Sequence, residues 1–237
     1  ALRAFLESAF ANGYKDIHVA DDAQGEDSEF QGTKIGSALE VVKDFPGVVC
    51  SYGSSRGGIS LNKNRNISYF LEHTEFTHML MMDDDQVFTR PGLFEELLTA
   101  CEKNRLNHIT GVWSSDQPEL EQLTGGGWSS VFPVQAEGYH VTWHEGSHGC
   151  AGFFTRKCIE EIGYYPILPH PYGYEHSLYT ARAMLAVDKR TPKWHPQHTH
   201  AYKYYCGQSI PNNYEIENVH ANSEEYLQLL TKIWQGE

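Results

Sequence analysis

No stretch of this sequence runs to the roughly eighteen apolar residues that a membrane-spanning helix requires, and no basic segment leads into an apolar core at its start. The chain is therefore expected to be soluble and to carry no signal peptide. Basic residues are scarce: 18 Lys and Arg stand against 31 Asp and Glu, for a net charge of −13. With no basic run to neutralise phosphates, a nucleic-acid partner is excluded. A small anionic ligand is not, because a divalent cation held by carboxylates bridges to phosphate in a protein of any net charge. The sequence also lacks any Cys-x-x-Cys. Its five cysteines, Cys50, Cys101, Cys150, Cys158 and Cys206, are odd in number and far apart, which argues against a disulfide framework or a zinc knuckle and fits a reducing, cytoplasmic compartment. No repeat, low-complexity tract or linker marks a boundary, so residues 1–237 are expected to form one domain.

What is present is a globular composition, 40% hydrophobic and 13% aromatic, with an ordered pattern in the first half. Residues 2–11 place Leu2, Phe5, Leu6 and Phe10 on one helical face. "DIHVADD" predicts a strand ending in two acids, followed by a loop of Gly and acidic residues. "SALEVVKDF" predicts a helix, "GVVCSY" a strand, "SRGGIS" a loop, "LNKNRNISYFLEHT" a helix and "HMLMM" a strand. Such alternation predicts an αβα sandwich with a mixed, mostly parallel central sheet, where ligands bind beyond the carboxyl ends of the strands. After a helix at "GLFEELLTACEKN" and a strand at "HITGVW" the texture changes. Gly, Ser and Trp dominate, "GYHVTWHE" alternates as a hairpin would, and helices return at "RKCIEEIG", "YEHSLYTARAML" and "SEEYLQLLTKIW".

Three adjacent aspartates, Asp83, Asp84 and Asp85, end the apolar strand "HMLMM". Unpartnered, such a cluster is costly to bury. Alternate residues of a strand share a face, so Asp83 and Asp85 point together and Asp84 away. Hard oxygen ligands suit Mg2+ or Mn2+, ions that complete their shell with water and substrate phosphates. The other reading is an acidic turn capping a helix that starts near Thr89, Arg90 and Pro91.

"VADDAQGED", "SSRGGISLNKNRN" and "MMDDDQVFTRPGLFEELL" together resemble the family 2 type of GT-A nucleotide-sugar glycosyltransferases over residues 2–185. In that family an early strand ends in Asp-Asp, a Gly turn leads into a helix bearing Arg-Asn, and a strand ends in Asp-x-Asp before a proline and a helix. The resemblance implies the GT-A fold and a metal-dependent transfer of a sugar from a nucleotide diphosphate sugar to a hydroxyl acceptor. The donor is expected to be a UDP-sugar, with a GDP-sugar the alternative, and the acceptor a glycan, a lipid-linked saccharide or a protein. It implies nucleotide-sugar contacts at Asp21, Asp22, Arg65, Asp83 and Asp84, one of the first two reaching the base. Asp83 and Asp85 would serve the metal, Asp84 being least involved with it. The spacing from Gly58 to Asn66 is slightly longer than the family's. Relatives also open on a strand that is expected to be missing here, since the sequence begins on a helical pattern.

Residues 1–115 would then form the nucleotide-sugar half and residues 116–237 the acceptor half. "HGCAGFFTRKCIEEIGYYP" is similar to the family's strand and helix beside the sugar. "PYGYEHSLYTARA" matches a later loop that in relatives carries Glu-Asp at a helix start, with Arg182 matching an arginine further along. Here the pair is Glu175 and His176. Relatives that invert use a carboxylate of this pair as base. Imidazole, with an ordinary pKa of about 6.5, can also take a proton at neutral pH. Three alternatives stay open: His176 as base, Glu175 as base, or retention with no protein base.

In "KWHPQHTHAY", His198 and His200 share a face if extended. Many metal-dependent relatives take a ligand from a downstream histidine. His200, 25 residues past Glu175, has a spacing similar to that of the polypeptide GalNAc-transferase branch, so His200 and then His198 are the expected further metal ligands. Trp113, Trp128 and Trp143 belong to loops that could cover a sugar, or to the core. Two other classes remain: a sugar-phosphate nucleotidyltransferase, whose Gly-rich signature loop is not visible, and a non-catalytic carbohydrate-binding protein of the same fold.

Overall fold

Helix α1 (Leu2–Ala11) forms where its apolar stripe predicts, turning Leu6 and Ala9 into the core. The computed structural model of the chain describes residues 1–22, 28–30, 33–35, 37–53, 57–84, 86–88, 91–111, 134–136, 141–144, 151–169, 173–189, 195–198, 202–204 and 223–235. After α1 come β1 (His18–Asp21), β2 (Ser28–Phe30), β3 (Thr33–Ile35), α2 (Ala38–Val42), β4 (Val49–Tyr52) and α3 (Gly58–His73). They are followed by β5 (His78–Met82), β6 (Gln86–Phe88), α4 (Leu93–Asn104) and β7 (His108–Gly111). The second half holds β8 (Val134–Ala136), β9 (Val141–His144), β10 (Ala151–Thr155), α5 (Arg156–Ile162), α6 (Glu175–Ala186), β11 (His195–His198), β12 (Tyr202–Tyr204) and α7 (Ser223–Gln235).

Three elements depart from expectation. The Gly and acid loop contains a small antiparallel hairpin, β2 with β3. Helix α3 starts at Gly58, inside "SRGGIS". "GYHVTWHE" contributes one strand, β9, whose hairpin partner is β8. Only the backbone of β2, β3, β8, β9, β11 and β12 is described.

The main sheet has the order β5-β10-β7-β11-β9-β8. Strands β5 and β7, from the alternating half, run in the same sense, but β10 from the second half is inserted between them and pairs antiparallel to both. Strand β11 adds parallel to β7, and β9 antiparallel to β11. The sheet is therefore mixed. A separate parallel pair, β1 with β4, lies with β5 under helix α3.

Side chains of β10 alternate as a doubly covered strand requires. Phe153 packs with Leu93, Leu97 and Ile109, while Phe154 joins Ile67, Phe70, Ile159 and Tyr179. Helices α1 and α4 thus cover one face, and α3, α5 and much of α6 the other. Asp188, just past α6, ties that helix to β7. Its Oδ2 accepts from Nδ1 of His108 at 2.8 Å, and its Oδ1 from Asn107 N at 2.8 Å and Nδ2 at 3.0 Å. Among the described residues no helix is long and apolar enough to cross a membrane.

Candidate active site

The strand ends set the frame. Met81, Gly152, Thr110 and Gln197 lie in one row across β5, β10, β7 and β11. Asp83 and His198 therefore leave the sheet at the same edge, three strand spacings apart, roughly 14 Å.

Asp21 and Asp22, at the end of β1, both hold backbone. Oδ2 of Asp21 accepts from the N–H of Ala38 (3.0 Å), which opens α2. The two carboxylate oxygens of Asp22 accept from Gly57 N (2.9 Å) and Gly58 N (3.2 Å) at the start of α3. A carboxylate at a helix N-terminus satisfies donors that lack an intrahelical partner and meets the positive end of the dipole. Arg65 folds back over this turn. Its Nη1 lies 3.7 Å from Oδ1 of Asp22 and donates to Asp21 O at 3.3 Å and to Oδ1 of Asn62. A Cβ on Gly53 would sit 1.8 Å from Nη2 of Arg65, so the guanidinium takes the space that only glycine leaves.

Asp83 is half-buried and Asp84 exposed, in a turn that Gln86 N closes by donating to Asp83 O at 3.3 Å. Asp85 lies outside the described residues. Among the described residues α4 has Gly92 as its N-cap, its first-turn acids are Glu95 and Glu96, and the Phe94 N–H donates to the Tyr14 hydroxyl at 3.4 Å. Strand β6 follows the aspartates directly and pairs antiparallel with β12.

Helix α6 opens after two left-handed residues, Gly173 (φ 95°) and Tyr174 (φ 70°). A bulky residue in this region is strained, and Tyr226 of α7 stacks on the Tyr174 ring at 4.5 Å. This turn presents Glu175 and His176 in different settings. The Glu175 side chain is 4% exposed and that of His176 25%. Nδ1 of His176 donates to Oε1 of Glu175 at 3.3 Å, and Nζ of Lys63, from α3, is 3.6 Å from the same oxygen. Burial alone would raise the Glu175 carboxyl; His176, by hydrogen bond and charge, and then Lys63 outweigh it and lower it to about 2. Oε2 of Glu175 is buried without a hydrogen-bond partner among the described residues.

Tyr165 joins the two acidic regions. Burial first, and then the carboxylates of Glu175 and Asp83, push its phenol well above the usual range. The ring stacks on Tyr179 at 3.8 Å and lies under Nζ of Lys63 at 5.4 Å. Asn64 clamps the Tyr165 backbone from both sides: its Nδ2 donates to Tyr165 O at 3.0 Å, and its Oδ1 accepts from Tyr165 N at 2.7 Å. Arg182 braces the same segment, donating to Tyr164 O at 2.9 Å and to Ile162 O.

The structure thus brings Asp21, Asp22 and Arg65 together around the start of α3, and joins Glu175 to His176 and Lys63, with the charges of Glu175 and Asp83 both felt at Tyr165. His198 ends β11, its side chain not described, and His200 lies outside the described residues, between β11 and β12. Lys63 and Tyr165 were not singled out in the sequence. Lys63 had a signal: with Ile67 and Phe70 it occupies the buried stripe of α3, and a charge on an apolar stripe needs a buried partner. Tyr165 had none, since its neighbours come from distant segments.

Among the described residues no group of three or more His, Cys, Asp or Glu converges as a metal cage. Mg2+ and Mn2+ do not require one, because one or two carboxylates with phosphate oxygens and water suffice. Asp83, half-open at a strand end, fits such a role. The described cysteines are poor nucleophiles: burial pushes the Cys101 thiol up to about 12 and the Cys50 thiol to about 11, and raises Cys158 further.

The fold is the GT-A fold of nucleotide-sugar glycosyltransferases. Three solved structures share it: the mannosyltransferase PcManGT from Pyrobaculum calidifontis in complex with GDP-Man and Mn2+ (13% identity, TM-score 0.55), S. aureus TarS 1-349 with UDP (14%, 0.57), and GalNAc-T7 with UDP, GalNAc and Mn2+ (12%, 0.52). They align with 100%, 98% and 94% of this chain, which spans 60%, 61% and 45% of theirs. At these identities the likeness is one of fold. No known family's sequence pattern matches the chain, and no curated protein matches it in sequence.

Proposed function

We propose that the chain is a glycosyltransferase that moves a sugar from a nucleotide diphosphate sugar to a hydroxyl acceptor with inversion. The observation that carries this reading is the half-open His176 held by the buried Glu175 at the start of α6, in a GT-A fold whose strand β5 ends at Asp83. UDP in two of the three neighbours and GDP-Man in the third support such a donor, UDP first. Asp21, Asp22, Arg65, Asp83 and Asp84 line the nucleotide side.

His176 is the base. With Nδ1–H directed at Glu175, the neutral ring carries its lone pair on Nε2, the tautomer needed to take a proton from the acceptor hydroxyl. The freed oxygen attacks the anomeric carbon, whose bond to the diphosphate oxygen breaks with the electron pair leaving on the diphosphate. Glu175, its carboxyl lowered to about 2, is too weak a base at neutral pH and orients the ring instead. Asp83, Asp85 and His200, with His198 next in order, would hold Mn2+ or Mg2+, which when bound draws charge from the departing diphosphate.

UDP or GDP is expected to raise the melting temperature only with Mn2+ or Mg2+ present, and Asp85→Ala to abolish the rise. Equal stabilisation of variant and parent would sink the metal assignment. His176→Ala is expected to lower turnover by about 10²-fold or more with donor binding kept, and to remove the lower limb of the pH profile. Unchanged turnover would move the role to Glu175 or to a retaining mechanism.

A further inference from the structure

Lys63 sits in the middle of α3 with 6% of its surface exposed. A buried ammonium without a counter-charge costs several kcal/mol by rough estimate. Its partner, Oε1 of Glu175, is also the oxygen that accepts from His176. A cation from the nucleotide half and the imidazole from the acceptor half therefore meet on one carboxylate oxygen. Asn64, the next residue of α3, fixes Tyr165 beneath the same ammonium.

We propose that Lys63 is a positioning residue for the transfer reaction, acting through Glu175 to set the orientation and basicity of His176. This rests on the reading of His176 as base. A lone buried carboxylate would hold the imidazolium tightly and make Nε2 slow to release its proton; sharing Oε1 with Lys63 weakens that hold. The ammonium also fixes the carboxylate that orients the ring, so α3, which begins at the nucleotide-side aspartates, couples the two halves. Among the described residues, the other titratable groups around this turn are Tyr165, Asp83 beyond it, and Tyr226 of α7 through Tyr174. Arg182, on α6 itself, is directed to the carbonyls of Ile162 and Tyr164.

The test uses the full chain with labelled histidines and follows the His176 imidazole by NMR from pH 5 to 9, its resonance identified by its absence from His176→Gln. Lys63→Met is expected to raise the titration midpoint by about half a pH unit to one unit, and Lys63→Arg to leave it near the parent's. In the Glu175→Gln background, Lys63→Met is expected to move it little, and the acid limb of turnover is expected to follow the NMR midpoint. A midpoint unmoved by Lys63→Met, or moved equally in both backgrounds, overturns the proposal. If Lys63→Met folds poorly, adding Glu175→Gln is expected to raise its melting temperature, and no rise overturns it too. The NMR result needs no turnover, so a parent that transfers no sugar would refute the transferase reading while leaving the Lys63–Glu175–His176 coupling to be judged separately.

Discussion

Two strands of this molecule end in adjacent aspartates, and the fold uses them differently. At the end of β1, Asp21 and Asp22 accept hydrogen bonds from the first N–H groups of two helices, and Arg65 lies against Asp22. At the end of β5, Asp83 stays half-open in a turn, and Asp84 lies near Asp21 and the amino group that heads α1, its carboxyl raised chiefly by burial. Like charges side by side are tolerable in the first case because helix N-termini offset them; in the second, the proposed metal and diphosphate would relieve the repulsion. A strand-end acid pair is therefore a cap or, as proposed for Asp83, a ligand.

If partners decide what a carboxylate contributes, the largest effect belongs to the one buried against side-chain charge. Glu175→Gln is expected to lower stability at pH 7 by about 3 kcal/mol, because the buried Lys63 ammonium loses the charge of the Glu175 carboxylate. The sign follows from the lowered carboxyl. Its ordinary value is 4.5 and its folded value about 2, so the contribution is complete above pH 4.5 and is lost as pH falls towards 2. Urea unfolding of parent and variant should converge over that window, and a constant gap would show that packing rather than charge carries the difference.

Next comes the contrast between the two strand ends. Asp22→Ala is expected to cost about 2 kcal/mol by urea midpoint, since it removes the acceptor for two backbone donors at the head of α3. Asp83→Ala is expected to cost less while removing the metal-dependent stabilisation by UDP or GDP. Equal losses at the two sites would mean that both pairs are caps.

Much of the scaffold was legible because its cues are local. "HMLMM" is β5 residue for residue, α1 has its expected bounds, and α5 and α6 fall within a residue of theirs. Strand β6 was not legible, because three residues pair only with β12, far along the chain. The hairpin of β2 and β3 was hidden in a sequence read as loop. At the site, Asp83, Glu175 and His176 were visible as chemistry, but the work of Asp21 and Asp22 was not. Their partners, Ala38, Gly57 and Gly58, donate backbone N–H groups that no residue type announces. The proposed division of work, Glu175 orienting and His176 as base, also needed the structure, since it rests on which of the two is buried and which carries Lys63.

The smallest expected effect is at Asp84. Asp84 sits in an open turn and burial raises its carboxyl, so its charge adds little to folding and Asp84→Ala is expected to change stability by less than about 0.5 kcal/mol, measured by urea unfolding beside Asp22→Ala. With Asp83 rather than Asp84 as the proposed ligand, it should also leave the metal-dependent part of the UDP- or GDP-induced rise in melting temperature intact. Loss of that part in Asp84→Ala, with Asp83→Ala retaining it, would reverse which face of the strand end meets the diphosphate. It would leave intact the contrast with β1, because an exposed acid that binds ligand is still not a helix cap. A large loss of folding stability at Asp84, like one at Asp83, would erase that contrast.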